Sequence, residues 1–310
     1  MHPDLTKALA VLLDGVSRKD LAAAAQQMSA GYRQGATSGT IVTPLQAIAY
    51  AVARMPATHA ACAAVFARLA EVMPDLMPSS LLDIGAGTGA ASWAAAVQWP
   101  GISVTMLDRN PALRTLARKL ADAGPLAAAE ILSGDLDAEI PKSDLVAASY
   151  VLAEHPEEKA ADTALDLWRS AERALALIEP GTPDGFARIR AARAALIEAG
   201  AHVAAPCTHD QVCPLTGDDW CHFSQRLPRS RDHMLLKEAS VPFEDERYTY
   251  VVVTRAKVAA GARILAPPLE SKPGLTFKLC DENGLRAQFV ASRDKEEYRR
   301  VRKRGWGDLF

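Results

Sequence analysis

From Ser79 onward, short apolar runs alternate with segments of helical length, and the first run enters a glycine turn, Asp83-Ile84-Gly85-Ala86-Gly87-Thr88-Gly89. Strands are expected over 81–84, 102–107, 129–132, 144–150, 174–178, 202–205 and 248–254, and helices over 90–98, 111–123, 162–173 and 184–199. Strands joined through helices of this length are crossovers rather than hairpins. They imply an α/β fold with a parallel, Rossmann-like, seven-stranded sheet and helices on both faces. No internal repeat interrupts the alternation.

The glycine turn lies where the first strand meets the first helix. Glycines there permit a tight turn and close approach of a ligand to the backbone, and the helix start offers unpaired N–H groups. Gly85, Gly87 and Ala90 also satisfy a relaxed dinucleotide fingerprint. The acids favour S-adenosylmethionine instead. Asp83 stands two residues before Gly85, where it suits a cationic amino acid and sulfonium and would repel a pyrophosphate. Asp108 closes the second strand, placed for the ribose hydroxyls, and Asp135 closes the third, placed for the adenine amino group. Alternatively, Asp108 and Asp135 cap the turns that follow them. Together with Gly89 and Tyr150 they make the candidate cofactor set, and the pattern resembles the class I methyltransferases. In such a fold the fourth strand carries the acceptor side, here Ser149-Tyr150-Val151-Leu152-Ala153-Glu154-His155-Pro156. It holds neither the Asn/Asp-Pro-Pro-Tyr motif of amine methylation nor a Pro-Cys nucleophile. Glu154 and His155 are candidate bases or an exposed loop pair, so no catalytic residue is assigned.

The flanks follow other patterns. Residues 1–78 read as a helical N-terminal region, with helical spacing of Leu5, Leu9 and Leu12 and an Ala-rich stretch over 44–72. Arg33 and the polar stretch 35–43 form a candidate loop over a ligand. Residues 79–256 form the methyltransferase-fold domain, interrupted by a polar insertion over 206–247. Residues 257–310 form a small β module, with strands expected over 263–265, 275–280 and 285–291 and a hairpin turn at Asn283-Gly284. Apolar residues make up 49% of the chain, enough for a sizeable core, and the net charge of −2 confines any nucleic-acid surface to local patches. No apolar run approaches the length of a membrane span, and the acids Asp4, Asp14 and Asp20 argue against an organelle presequence. The expectation is a cytoplasmic monomer.

Of five cysteines, Cys207, Cys213, Cys221 and Cys280 fall late, three of them among polar and turn residues rather than in apolar runs. Four thiolates complete a first shell for zinc or for an iron–sulfur cluster, and ligand softness does not separate the two. The spacing departs from a zinc ribbon, and Cys213-Pro214 matches the proline that often follows a cluster cysteine. Four unrelated thiols remain the plain alternative. Cys62, in an Ala-rich helix, reads as packing. A metal shared by Cys280 and the other three would pin the β module to the larger domain.

These segments resemble one family, the methyltransferase-like proteins of the mitochondrial small ribosomal subunit and their bacterial relatives. The resemblance is carried by Arg54-Met55-Pro56-Ala57-Thr58, the segment Leu82 to Gly89, Ala91-Ser92-Trp93-Ala94, and Ala148-Ser149-Tyr150-Val151-Leu152. It continues through Ala205-Pro206-Cys207, Cys213-Pro214, Trp220-Cys221-His222-Phe223 and Trp306-Gly307-Asp308. It implies action on the small ribosomal subunit and its rRNA during assembly, and a four-iron–four-sulfur (4Fe-4S) cluster on the four late cysteines. Basic residues fit rRNA contact: Arg226, Arg229, Arg231 and Lys237 after the cysteine segment, and Arg286, Arg293, Arg299, Arg300, Arg302, Lys303 and Arg304 in the tail, with Tyr298 and Trp306 as candidate base-stacking rings. The competing functions are an rRNA methyltransferase, a non-catalytic assembly factor that keeps the fold, and a small-molecule methyltransferase with a structural zinc.

Overall fold

The computed structural model describes residues 1–33, 37–135, 141–259 and 261–310, with the side chains of residues 32 and 33 also outside the description. Four helices come first: α1 (Pro3–Leu12), α2 (Arg18–Arg33), α3 (Pro44–Ala53) and α4 (Met55–Val72). Thr43 and Gln46 close a reciprocal capping box on α3, which satisfies two otherwise orphaned N–H groups and sets where the helix starts.

The alternating part follows as β1 (Ser80–Ile84), α5 (Ala90–Gln98), β2 (Ser103–Asp108), α6 (Pro111–Ala121), β3 (Glu130–Ser133), β4 (Ser143–Ser149), α7 (Ala160–Ser170), β5 (Ala171–Pro180), α8 (Pro183–Glu198) and β6 (His202–Ala205). Then come β7 (Phe223–Pro228), α9 (Arg231–Leu236) and β8 (Phe243–Thr254). The sheet order is β3-β2-β1-β4-β5-β8-β6, with β7 pairing on β8. Strands β1 to β5 run parallel, as crossover helices demand. The all-parallel expectation fails at β8, which slots between β5 and β6 and is antiparallel to both. The chain reaches it from β6 through the β7–α9 excursion rather than through a crossover helix, so it returns reversed. One reversed strand at that place in this order is the class I S-adenosylmethionine methyltransferase fold.

Each sheet face has its own core. Trp93, Phe66, Leu69, Leu81 and Met106 pack under α1 to α6 on one side. Leu82, Val146, Leu175, Leu196 and Val251 pack under α7 and α8 on the other. Burial on both faces explains why the central strands read as continuous apolar runs.

The polar segment 206–247 contains two elements that were not expected, β7 and α9. The tail holds β9 (Arg263–Ile264), β10 (Leu269–Ser271), β11 (Gly274–Asp281), β12 (Gly284–Ala291) and α10 (Lys295–Val301). A small third core of Ile264, Leu275, Phe277, Leu279, Val290 and Val301 lies inside it. Protein contacts already tie this module to the rest of the chain. Arg68 Nη2 donates to Asp308 Oδ1 at 2.6 Å, and Thr208 and Gly261 exchange hydrogen bonds of 2.8 and 3.0 Å.

Candidate functional site

A cavity of about 890 Å³ opens at the carboxyl ends of β1, β2 and β4, beneath α2, α3 and α9. Gly85 and Gly87 form part of its wall, both with left-handed backbones, at φ +61° and +56°. A Cβ on Gly85 would stand 2.6 Å from Val151 Cγ2, so that position is closed to any side chain. A Cβ on Gly87 would meet nothing nearer than Gly85 O and Tyr50 Cε1, each at 4.0 Å, so it would project into the open cavity. Gly89 caps α5 in the left-handed region, away from the cavity wall.

Asp108 and Asp135 line the cavity, whereas Asp83 does not. The Asp83 carboxylate is fully buried, and Oδ2 accepts from Ser92 N at 3.0 Å and Ser92 Oγ at 2.7 Å. Burial pushes its pKa up to about 7. The site expected to meet a ligand's ammonium group is thus a strand-to-helix brace. Asp108 accepts from Gly87 N and Asn110 N, both at 2.7 Å, so its carboxylate shapes the glycine turn while facing the cavity. Burial raises its pKa, and those two N–H groups oppose the rise. Asp135 sits at the rim, 3.3 Å from Arg109 Nη1.

Tyr150 lines the cavity with φ +61°, a conformation that costs a non-glycine residue free energy and needs surrounding support. Its N–H donates to Ile178 O at 2.7 Å, and its hydroxyl donates to Glu246 Oε1 at 2.7 Å. Arg54 Nη2 lies 3.8 Å from the same Glu246 oxygen. Sequence reasoning missed Tyr50 and Arg54 as cavity groups, and the buried Glu246 behind them; the Arg54-Met55-Pro56 segment was the only local signal. Glu154 is a brace as well: Oε1 accepts from Ser38 N at 3.0 Å, and Oε2 lies 3.4 Å from Arg109. Two backbone N–H groups, of Leu152 and Ala153, donate to the buried Glu179 carboxylate and hold the loop that carries Glu154. Of the candidate ligand loop, Thr37 and Ser38 line the cavity, and Asn110 Nδ2 donates to the carbonyls of Ser38 and Ile41 at 2.9 Å each. Residues 35 and 36 and the Arg33 side chain lie outside the described residues.

The four late cysteines come together. Cys207, Cys213, Cys221 and Cys280 line one cavity of about 30 Å³, along with Arg263 and Tyr250. Cys207 follows β6, Cys213 and Cys221 lie in the loop before β7, and Cys280 is the penultimate residue of β11. All are free thiols, and Cys62 is buried separately in α4. Burial raises the pKa of Cys221 well above the ordinary thiol value, and the sulfurs of Cys207, Cys213 and Cys280 raise it further. Cys280 is pushed up to about 12, by burial and then by Cys207 and Cys213. Among the described residues, no three or more His, Cys, Asp or Glu side chains stand in metal-ligating geometry. The arrangement gathers four soft donors around one space without closing them on it.

The basic groups divide. Arg226 pairs with Asp245, and Arg229 and Lys237 pair with Glu244, so these charges serve the β7–β8 hairpin and the cavity roof. Arg293, Arg299, Arg302, Lys303 and Arg304 are exposed on the tail. The candidate stacking rings are engaged internally. Trp306 packs on His222 and Phe223, at centroid distances of 5.0 and 6.3 Å, and Tyr298 packs on the module's core.

Several known proteins are similar to this chain. Human "Ribosome assembly protein METTL17, mitochondrial" is 27% identical over 85% of this chain and 62% of its own length. Fission yeast "Rsm22-cox11 tandem protein 2, mitochondrial" is 27% identical over 94% of this chain and 46% of its own. This chain therefore spans about half to three-fifths of the curated relatives it matches. A solved magnesium protoporphyrin IX methyltransferase from Synechocystis superposes with a TM-score of 0.45 at 18% identity, over 74% of this chain and 94% of that one. The cytoplasmic expectation is corrected: the relatives matched over most of this chain are named as mitochondrial. Among the described residues, no helix is long and apolar enough to cross a membrane. Residues 44–310 match the profile described as "Mitochondrial small ribosomal subunit Rsm22", and the chain belongs to that family.

Proposed function

We propose that this chain binds S-adenosylmethionine in the larger cavity and acts in assembly of the small ribosomal subunit, in contact with its rRNA. The observation that carries the cofactor reading is Gly87, a glycine whose absent side chain leaves open cavity beside the Asp108 carboxylate. In this reading Gly85 and Gly87 present backbone to the ligand, Asp108 and Asp135 face its ribose and adenine, and Tyr150 closes the wall. Asp83 acts indirectly, by fixing the start of α5. When bound, the sulfonium supplies an electrophilic methyl group.

The ribosomal reading is supported by the family and by the exposed tail arginines and Lys303. The small-ion reading is supported by four cysteines lining one cavity, and we assign it a four-iron–four-sulfur cluster, with zinc as the alternative. Calorimetric titration of the full chain with S-adenosylmethionine tests the cofactor; absence of heat at millimolar ligand would reject it. Anaerobic purification followed by iron, sulfide and zinc analysis tests the metal; one zinc and no sulfide selects the alternative. Binding to purified small subunits tests the partner. It should weaken with salt and with Arg302→Ala, Lys303→Ala and Arg304→Ala combined.

A second reading, methyl transfer to rRNA, is favoured by Arg54 and Tyr150, polar groups on the cavity wall that are both held by the buried Glu246. Gly87→Arg would project a long cationic side chain into the cavity beside Asp108. A small-subunit methyl mark lost in that variant supports transfer; marks unchanged while assembly fails support the non-catalytic role.

A further inference from the structure

Two buried guanidinium groups stand beside the cysteine cavity. Arg263, on β9, is completely buried and lines the cavity together with the four cysteines. On the sheet ladder it lies directly opposite Cys280. Its Nε donates to Pro206 O at 2.7 Å and its Nη1 to Gly307 O at 3.0 Å, while Nη2 has no partner. Nη1 also pairs with Glu71 Oε2 at 3.4 Å, a partly exposed carboxylate oxygen that Arg68 shares at 3.1 Å. Arg193, on α8, is 6% exposed and donates Nη2 to His209 O at 2.8 Å; its Nε has no partner. Among the described residues Arg193 forms no ion pair with a carboxylate. The ring of that same His209 meets the sulfurs, with Nε2 3.5 Å from Cys280 Sγ, so Arg193 stands one residue back from the cysteine cavity.

A buried cation without an anion is costly, by several kcal/mol per ion in proteins after relaxation. Neutral thiols do not offset that cost, whereas thiolates bound to a metal or cluster do: four thiolates carry a charge of −4, and one divalent ion or one doubly positive cluster leaves −2. Arg193 supplies one positive charge that no carboxylate offsets, and Arg263 supplies a second that Glu71 offsets in part. The unpartnered N–H groups are also the donors that a sulfur-rich centre accepts.

We propose that Arg193 and Arg263 are the paired counter-cations of an anionic thiolate-bound centre, and that they set the charge this centre holds. The proposal rests on the cysteine reading above and deepens it. Removing one positive charge penalises the more negative, reduced state of a cluster more than the oxidised state. The reduction potential should therefore fall.

The test uses the full chain, purified without oxygen, as wild type, Arg193→Met, Arg263→Met and Arg193→Lys. Metal and sulfide content and the midpoint potential, from a redox titration followed by electron paramagnetic resonance, are read together with circular dichroism. Each Met variant should lose part of its iron or show at least a tenfold shift of the reduction equilibrium toward the oxidised state, which is 59 mV for one electron. Arg193→Lys should restore most of the shift, because charge rather than shape is the cause. Met variants that keep wild-type iron and wild-type potential overturn the proposal. If Arg193→Met does not fold, Arg193→Gln against Arg193→Lys decides the same point, and equal potentials overturn it. If the wild type holds zinc, the readout is the rate of zinc loss to a chelator, expected to rise tenfold in the Met variants; unchanged rates overturn the proposal. A wild-type chain that takes up neither iron nor zinc refutes the cysteine reading itself, and the counter-cation role with it.

Discussion

Gly85→Ala puts the glycine turn under a strain that can be worked out in two parts. The residue sits at φ +61°, where an L side chain costs roughly 1–2 kcal/mol. The new Cβ would stand 2.6 Å from Val151 Cγ2, and overpacking of a filled site typically costs about 1–3 kcal/mol. The sum is a loss of about 2–5 kcal/mol, read as a lower urea midpoint at an unchanged slope. The two parts are separable. Val151→Ala removes the clashing methyl but leaves the backbone strain, so in the double variant the overpacking share should return. The double-mutant cycle should thus show a favourable coupling of about 1–3 kcal/mol. Calorimetry on the same proteins should show cofactor affinity at least tenfold weaker in Gly85→Ala, about 1.4 kcal/mol, and partly restored in the double variant. If the two substitutions add without coupling, the close approach of Gly85 to Val151, just after β4, is not what holds this turn.

Three further outcomes follow from named contacts. Asp83 ionises near 3.8 when unfolded and at about 7 when buried, so its contribution is full below about pH 4 and is lost as pH rises through 7. Asp83→Asn should therefore gain stability relative to wild type between pH 4 and pH 7, and show a constant difference above that range in thermal melts; a difference independent of pH would refute the buried carboxylate. Tyr150→Phe removes the hydroxyl that donates to Glu246, and should cost about 1–2 kcal/mol in denaturant titration. Tyr150→Gly and Tyr150→Ala lose the same packing, so Gly should be the more stable of the two by about 1–2 kcal/mol at φ +61°, and equal stabilities would argue against strain. Asp308→Ala removes both the bond from Arg68 and the one from Gly305 N, and should speed proteolysis of residues 261–310 well before the sheet domain unfolds.

The residues themselves explain how much of this was legible. The order of strands and helices from β1 to β6 is written in local periodicity, because the central strands are buried on both faces and helices such as α6 and α7 show one apolar face. The glycine turn and Asp108 were legible for the same reason, since a strand-to-helix turn is a local event. By contrast, β7 and α9 left no such trace. Strand β7 carries Gln225 and Arg226, and it exists because its backbone pairs with β8 along Phe223 to Pro228. Helix α9 has six residues, too few to persist alone, and packs against α2 and α3.

What the sequence alone determined is therefore the fold class, the glycine turn and the identity of the four gathered cysteines, all carried by neighbours in the chain or by residue chemistry. Only the tertiary structure decided that β8 runs in reverse between β5 and β6, that Asp83 braces α5 instead of facing the cavity, and that Trp306 packs inward. It also decided which groups meet: Arg54 with Glu246, Arg263 with the four cysteines, and Arg193 with His209. These partners come from different elements, distant along the chain. Their meeting depends on long-range packing of the whole sheet, and no local pattern of side chains encodes it.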